Sequence, residues 1–290
     1  MVGSTASSHV SGPPAADPVF TEKSVRIADG VLGYRSCGWG SDTIVLLHGI
    51  SSGSGSWSEC ASVLAQRARV IAWDAPGYGA STPLASSAPA APEYAQRIQA
   101  LLEALQVKRC LLVGHSLGAL MAAAYGSMPS HRAAGMLLIS PALGYGGAGN
   151  PQAAQVRAKR VAALAEQGIP GIAANLPDRL LSSAASNTAR ETVQRNALRL
   201  NAQGYLQAVE LLCGDDINRY ALPADATWVS CGEHDIVTTP EQSRGFAQRH
   251  GLEFTLIPGV GHACYVEQPR AVAKHILEVL NKISASDDHE

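Results

Sequence analysis

The sequence predicts an α/β fold: a doubly wound, mostly parallel sheet of eight strands carrying a helical cap after the sixth. Three observations lead there. Short apolar runs bounded by turn residues alternate with longer segments of helical spacing. An Asp-Gly turn near the start separates two short strand-like segments. Finally, one long stretch carries helical patterns and no convincing strand.

The opening pair, Ser24–Ile27 and Val31–Tyr34 around Asp29-Gly30, reads as an antiparallel hairpin on the sheet edge. The runs Thr43–Leu47, Val70–Trp73, Cys110–Val113, Met136–Ile139, Thr227–Cys231 and Phe254–Ile257 read as strands buried on both faces. Helical spacing occupies Trp57–Arg67, Pro92–Leu105, Leu117–Tyr125, Pro240–His250 and Gln268–Ile283. In the last of these, Val272, Ile276, Val279 and Leu280 form one apolar stripe. Between Pro141 and Leu222 the patterns Ala153–Gln167 and Ala189–Leu212 are helical. This divides the chain into a tail (1–18), a first core part (19–140), a cap (141–222), a second core part (223–284) and a short tail (285–290).

Composition removes several function classes. The chain has 290 residues and a net charge of −2, without the basic excess that a phosphate backbone demands. No apolar run approaches the 18 or so residues of a spanning helix. Met1–Pro18 lacks the basic and apolar regions of a secretory signal and reads as a disordered tail. The six cysteines, Cys37, Cys60, Cys110, Cys213, Cys231 and Cys264, are scattered without a CxxC pair, which suits reduced thiols in a cytoplasmic protein and offers no metal site. No internal repeat is visible.

The sharpest local signal is Gly114-His115-Ser116-Leu117-Gly118, between a predicted strand and a predicted helix. A sharp turn at that junction strains the serine and lifts its oxygen above the sheet, at the positive end of the helix that follows. Glycines two residues to either side let neighbouring backbone pass closely. The bland alternative is a glycine-rich turn with an idle serine; the strand before and the helix after argue against it.

On this motif, and over nearly all of Phe20 to Ile283, the sequence resembles the α/β-hydrolase family. His48-Gly49-Ile50 resembles that family's oxyanion loop, and Asp74-Ala75-Pro76-Gly77-Tyr78-Gly79 resembles its D-x-P-G-x-G turn. The resemblance implies a catalytic order of Ser, then Asp or Glu, then His. It assigns nucleophile Ser116, acid Asp235 in Gly232-Glu233-His234-Asp235, and base His262 in Gly259-Val260-Gly261-His262. Glu233 and His234 compete with Asp235 but lie nearer the strand end. The other place where family members carry the acid reads Ser140-Pro141, without a carboxylate. His48 supports the oxyanion loop, His115 lines the pocket or turns away from the serine, and His9, His250, His275 and His289 read as surface or tail residues. The implied oxyanion donors are the backbone N–H groups of Ile50 and Leu117.

Around this centre Ser51, Trp57, His115 and Cys264 are candidate pocket lining, although a packed thiol is the plainer fate of Cys264. Ser51–Ser56 reads as a flexible loop at the pocket entrance; it lacks the lysine of a phosphate loop. Glu267 reads as a structural carboxylate. The cap arginines Arg157, Arg160, Arg179, Arg190, Arg195 and Arg199 read as solvated helix faces, any one of which could instead turn inward to a substrate carboxylate.

The function expected is a serine hydrolase acting on a small-molecule ester, lactone or thioester, without cofactor or metal, as a monomer or homodimer. The alternative is a C–C bond hydrolase of ring-cleavage products, or an amide-cleaving relative. His115 in place of Asn, and Ala263 in place of Trp, depart from the usual pattern of C–C hydrolases. Dehalogenases and epoxide hydrolases carry Asp where Ser116 stands. Cofactor-free oxygenases and a non-catalytic ligand binder complete the field, and a pure binder has no need for all three triad residues.

Overall fold

The computed structural model describes residues 17–147 and 150–287. His9, His289 and all but two residues of the predicted N-terminal tail fall outside them. Those two, Asp17 and Pro18, belong to the first strand.

In chain order the elements are β1 (Asp17–Ile27), β2 (Gly30–Gly38), β3 (Thr43–Leu47), α1 (Ser58–Leu64), β4 (Arg69–Trp73), α2 (Ala91–Ala104), β5 (Cys110–His115), α3 (Leu117–Gly126), β6 (Ala133–Ile139), α4 (Gln152–Leu180), α5 (Asn187–Ala197), α6 (Ala202–Gly214), β7 (Thr227–Gly232), α7 (Pro240–His250), β8 (Glu253–Ile257), α8 (Cys264–Glu267) and α9 (Pro269–Asp287). Among the described residues, eight strands form one sheet in the order β1-β2-β4-β3-β5-β6-β7-β8. The β1–β2 and β2–β4 pairs are antiparallel and the rest are parallel.

The apolar runs become strands because both faces are covered. β3 and β5 are buried along their whole length, as a strand between two helix layers must be. β8 departs from that expectation: it closes the sheet at its edge, and most of it is partly or fully exposed. The hairpin is longer than its pattern suggests, and its strands run to Asp17 and Gly38. At the other end, α9 runs through to Asp287, so 285–287 are helical.

The cap, α4 to α6, lies between β6 and β7. Its helices differ from the sequence pattern at both ends. Ala153–Gln167 is only the first half of α4: the chain breaks at Gly168 (φ 62°, ψ −175°), a conformation essentially restricted to glycine, and resumes through Pro170 to Leu180. Ala189–Leu212 is two helices, because Asn201 accepts hydrogen bonds from the N–H groups of Gln203 and Gly204 and starts α6 afresh.

Polar ties fasten the cap to the core. The Gln207 amide nitrogen donates to the carbonyls of Leu84 and Ser86 (2.7 Å each). Buried Asp215 accepts from the Ala91 N–H and the Tyr220 hydroxyl (2.8 Å each). No helix among the described residues is long and apolar enough to cross a membrane.

Candidate active site

Ser116 stands where β5 turns into α3, at φ 54° and ψ −117°. A serine pays for that backbone geometry with strain, and the neighbouring packing leaves it no other route. A Cβ on Gly114 would sit 2.5 Å from the Gly118 carbonyl oxygen, and one on Gly118 would sit 2.5 Å from that of Leu47. The two glycines are therefore required by the closeness of backbone on both sides of the turn. Ser116 lines a cavity of about 270 Å³ between the C-terminal ends of the strands and the cap.

His262 lines the same cavity, on the loop after β8. Its Nδ1–H donates to Asp235 Oδ2 at 2.8 Å, and both side chains are buried. Asp235 Oδ1 accepts the N–H groups of Val237 (2.8 Å) and Thr238 (3.0 Å). Burial by itself would raise the Asp235 pKa. The His262 charge, the His262 hydrogen bond and the two amides outweigh it, so the carboxyl ionises below its usual range. Since Nδ1 carries the proton, Nε2 of the neutral ring holds its lone pair free.

The His262 loop is pinned from three directions. His115 Nε2–H donates to the His262 carbonyl at 2.9 Å. The Ala263 N–H donates to the carbonyl of Leu180, the last residue of α4, at 2.8 Å. Glu267 accepts the N–H groups of Gly261 (2.9 Å) and Ser182 (3.0 Å) as well as the Ser182 hydroxyl. Glu267 is thus the clasp between the His262 loop and the cap. Its structural reading holds, with a partner that no local pattern names.

The backbone N–H groups of Ile50 and Leu117 donate to no other described residue, and both residues line the cavity. The Ile50 loop is rigidly held. His48 donates from Nδ1 to the Gly49 carbonyl (2.8 Å) and accepts the Ala75 N–H at Nε2 (3.0 Å). Tyr78 donates its hydroxyl to the Ile50 carbonyl at 2.7 Å.

Of the candidate lining residues, Ser51 and His115 reach the cavity. Trp57 and Cys264 do not. The Trp57 ring is fully buried beneath Tyr265, stacked at 3.8 Å, and Tyr265 takes the cavity position. Cys264 is buried in the core, and burial pushes its thiol pKa well above the usual value. All six cysteines are buried.

Ser51–Ser56 is not the flexible loop its composition suggests. The Ser54 N–H donates to Asp74 Oδ1 (2.8 Å), and Ser56 Oγ donates to the Gly53 carbonyl (2.7 Å) and meets the Tyr265 hydroxyl (3.1 Å). His275 is half-buried rather than on the surface. Glu233 and His234 are exposed, and Glu233 accepts the Gly259 N–H, away from His262.

Sequence reasoning missed Thr238. Its hydroxyl lies 3.0 Å from both Asp235 Oδ2 and the Ser140 carbonyl, and 3.2 Å from His262 Nδ1. Its sole sequence signal is its place three residues after Asp235. Among the described residues no cluster of His, Cys, Asp or Glu could hold a metal ion.

The family model of the alpha/beta hydrolases matches residues 44–275, and the chain belongs to that family. It is 30% identical over 139 residues to a 2-hydroxy-6-oxononadienedioate/2-hydroxy-6-oxononatrienedioate hydrolase of Dechloromonas aromatica, covering 45% of this chain and 46% of that protein. The chain thus matches about half the length of that relative. Among the solved structures that share its fold are two hydrolases. One is a thermophilic esterase from Thermogutta terrifontis (TM-score 0.76, 22% identity, 91% of this chain and 99% of that one). The other is the enol-lactonase from Burkholderia xenovorans LB400 (TM-score 0.78, 20% identity, 89% and 100%).

Proposed function

We propose that this chain is a serine hydrolase that cleaves a small-molecule ester, lactone or thioester through an acyl-enzyme, with Ser116 as nucleophile, His262 as base and Asp235 as its orienting acid. The observation that carries this reading is the buried His262–Asp235 pair, its tautomer fixed, on the wall of the cavity that a strained serine also lines.

A serine hydroxyl is a weak nucleophile until a base takes its proton. His262 Nε2 takes it as Ser116 Oγ bonds to the substrate carbonyl carbon. The oxygen that gains charge rests on the N–H groups of Ile50 and Leu117, at the positive end of α3. The imidazolium is stabilised by ionised Asp235 and passes its proton to the leaving group as the carbonyl–leaving-group bond breaks. Water then bonds to the acyl carbon as His262 Nε2 takes its proton, and the acyl–Oγ bond breaks as His262 returns that proton to Ser116 Oγ, releasing the acid.

Hydrolysis of p-nitrophenyl esters from C2 to C12 by the wild type and by Ser116→Ala tests this. The variant is expected to lose about 10⁴-fold or more in kcat, and a serine-directed phosphonate is expected to label the wild type alone. Equal rates in the two proteins would overturn the reading.

A second reading, C–C bond hydrolysis, is favoured by the name of the Dechloromonas relative, a 2-hydroxy-6-oxononadienedioate hydrolase. A wild type inert on every ester yet active on a ring-cleavage product would decide for it.

A further inference from the structure

Five of the six cap arginines named above fall into two groups, and the sixth, Arg195, is exposed and donates to the Thr192 hydroxyl. Arg157 pairs with Glu210 (3.0 Å), Arg190 with Asp178 (2.5 Å), and Arg199 with Glu22. Arg160 and Arg179 line the cavity instead. Arg160, half-buried, donates among the described residues to the Tyr205 hydroxyl alone, at 3.2 Å. Arg179, nearer solvent, makes no hydrogen bond or ion pair with a described residue. None of the described residues lining the cavity is acidic.

The break in α4 produces this arrangement. The two arginines are nineteen positions apart, which in a straight helix would separate them by roughly 28 Å. Gly168 turns the second half of α4 back, so both reach one cavity and feel each other's charge. Burial and the Arg160 charge together hold the Arg179 pKa below its usual value. Two like charges directed into one space, with no counter-charge of their own, are stabilised by an anion arriving from outside.

We propose that Arg160 and Arg179 form a carboxylate-binding subsite on the cap side of the cavity, and that the substrate is an acyl compound carrying a negative charge away from the bond that is cleaved. The inference rests on the hydrolase reading only for which end of the substrate reacts.

Two pairs of probes test it, one for each side of the scissile bond. On the acyl side, mono-p-nitrophenyl glutarate is compared with its neutral methyl ester. On the leaving-group side, 4-acetoxybenzoate is compared with methyl 4-acetoxybenzoate. In at least one pair the wild type is expected to favour the charged probe in kcat/KM by about tenfold or more. That ratio should fall towards one in Arg160→Gln and in Arg179→Gln and recover in part in Arg179→Lys. Because it is internal to each variant, the ratio is insensitive to the amount of folded protein. A wild-type ratio near one in both pairs, or a ratio unchanged by both Gln substitutions, would overturn the proposal.

A binding arm separates it from catalysis. Millimolar glutarate is expected to raise the Tm of Ser116→Ala, and to do so no longer once Arg160→Gln and Arg179→Gln are added. If no ester is cleaved but this shift appears, the ester-cleaving reading falls and the subsite stands. If the esters are cleaved without charge preference and no shift appears, the subsite falls and the hydrolase stands.

Discussion

The floor and the roof of the cavity are built on opposite terms. On the floor, Ser116, Asp235 and His262 are buried, and each is fixed by several local contacts. α3 is buried at every residue behind the serine. The roof is broken at Gly168, exposes much of α4, and carries Arg160 and Arg179 on the cavity wall with no acidic residue among the described lining. The floor has one geometry imposed by close-packed backbone, whereas the roof is a set of side chains hung on a jointed helix. Changes to the floor should therefore act on turnover and folding, and changes to the roof on which compound is accepted.

The largest effect expected on the floor is that of Asp235→Asn. It keeps the shape but removes the charge that fixes the His262 tautomer, so kcat should fall by about 10⁴-fold while circular dichroism stays that of the wild type and Tm drops, because the fold stabilises the ionised carboxyl. Steady-state kinetics on an active ester checks this, and a fall of less than tenfold would mean that Asp235 is not the acid.

A pair of glycine substitutions measures the two regions against each other. Gly118→Ala drives a methyl group against the Leu47 carbonyl and should cost about 3 kcal/mol or more. Gly168→Ala meets only strain at a positive φ and the edge of Pro170, and should cost about 1–3 kcal/mol. Urea unfolding reads both costs, and in steady-state kinetics the first should also lose kcat and the second should move KM. The reverse order of costs would break the comparison.

The smallest expected effect is a change of slope. His115 is buried, and burial together with the nearby His262 lowers its pKa from 6.5 to about 3. As pH falls below 6.5 the unfolded chain takes up a proton there that the folded chain refuses. Folding stability is therefore complete above that pH and declines below it, by up to about 1.4 kcal/mol per pH unit for one such histidine. His48 and His275, whose pKa values are also lowered, add to the same acid-side loss. His115→Asn should flatten the decline between pH 6 and 4 by about one proton, read from urea midpoints; an unchanged slope would place the titration elsewhere.

Much of the floor was legible from sequence, because its parts announce themselves locally. Thr43–Leu47 is a strand from end to end and fully buried, as a continuous β-branched and leucine run implies. Asp235 and His262 sit on short loops just past strand ends. Legibility stops where a residue's role depends on what arrives from far along the chain. Thr238, Tyr265 and the Glu267 clasp act through contacts that only the tertiary fold creates. Trp57 fails as a lining residue for the same reason, since Tyr265, more than two hundred residues later, covers it. In the roof, the helical periodicity was readable but not the turn at Gly168, so the inward arginines could not be told from those on the outer face.

The placement of the cap has a consequence for descent with modification. β6 and β7 are direct parallel neighbours, paired from Met136–Thr227 to Ile139–Ser230. Parallel neighbours require a crossover in any case, and the sheet register sets no upper limit on how long it is. The stretch 140–226 can therefore be lengthened, shortened or exchanged over generations while β6 and β7 keep their pairing. Selection can retune what enters the cavity by editing one insertion, provided that Leu180 and Ser182 keep their hold on the His262 loop.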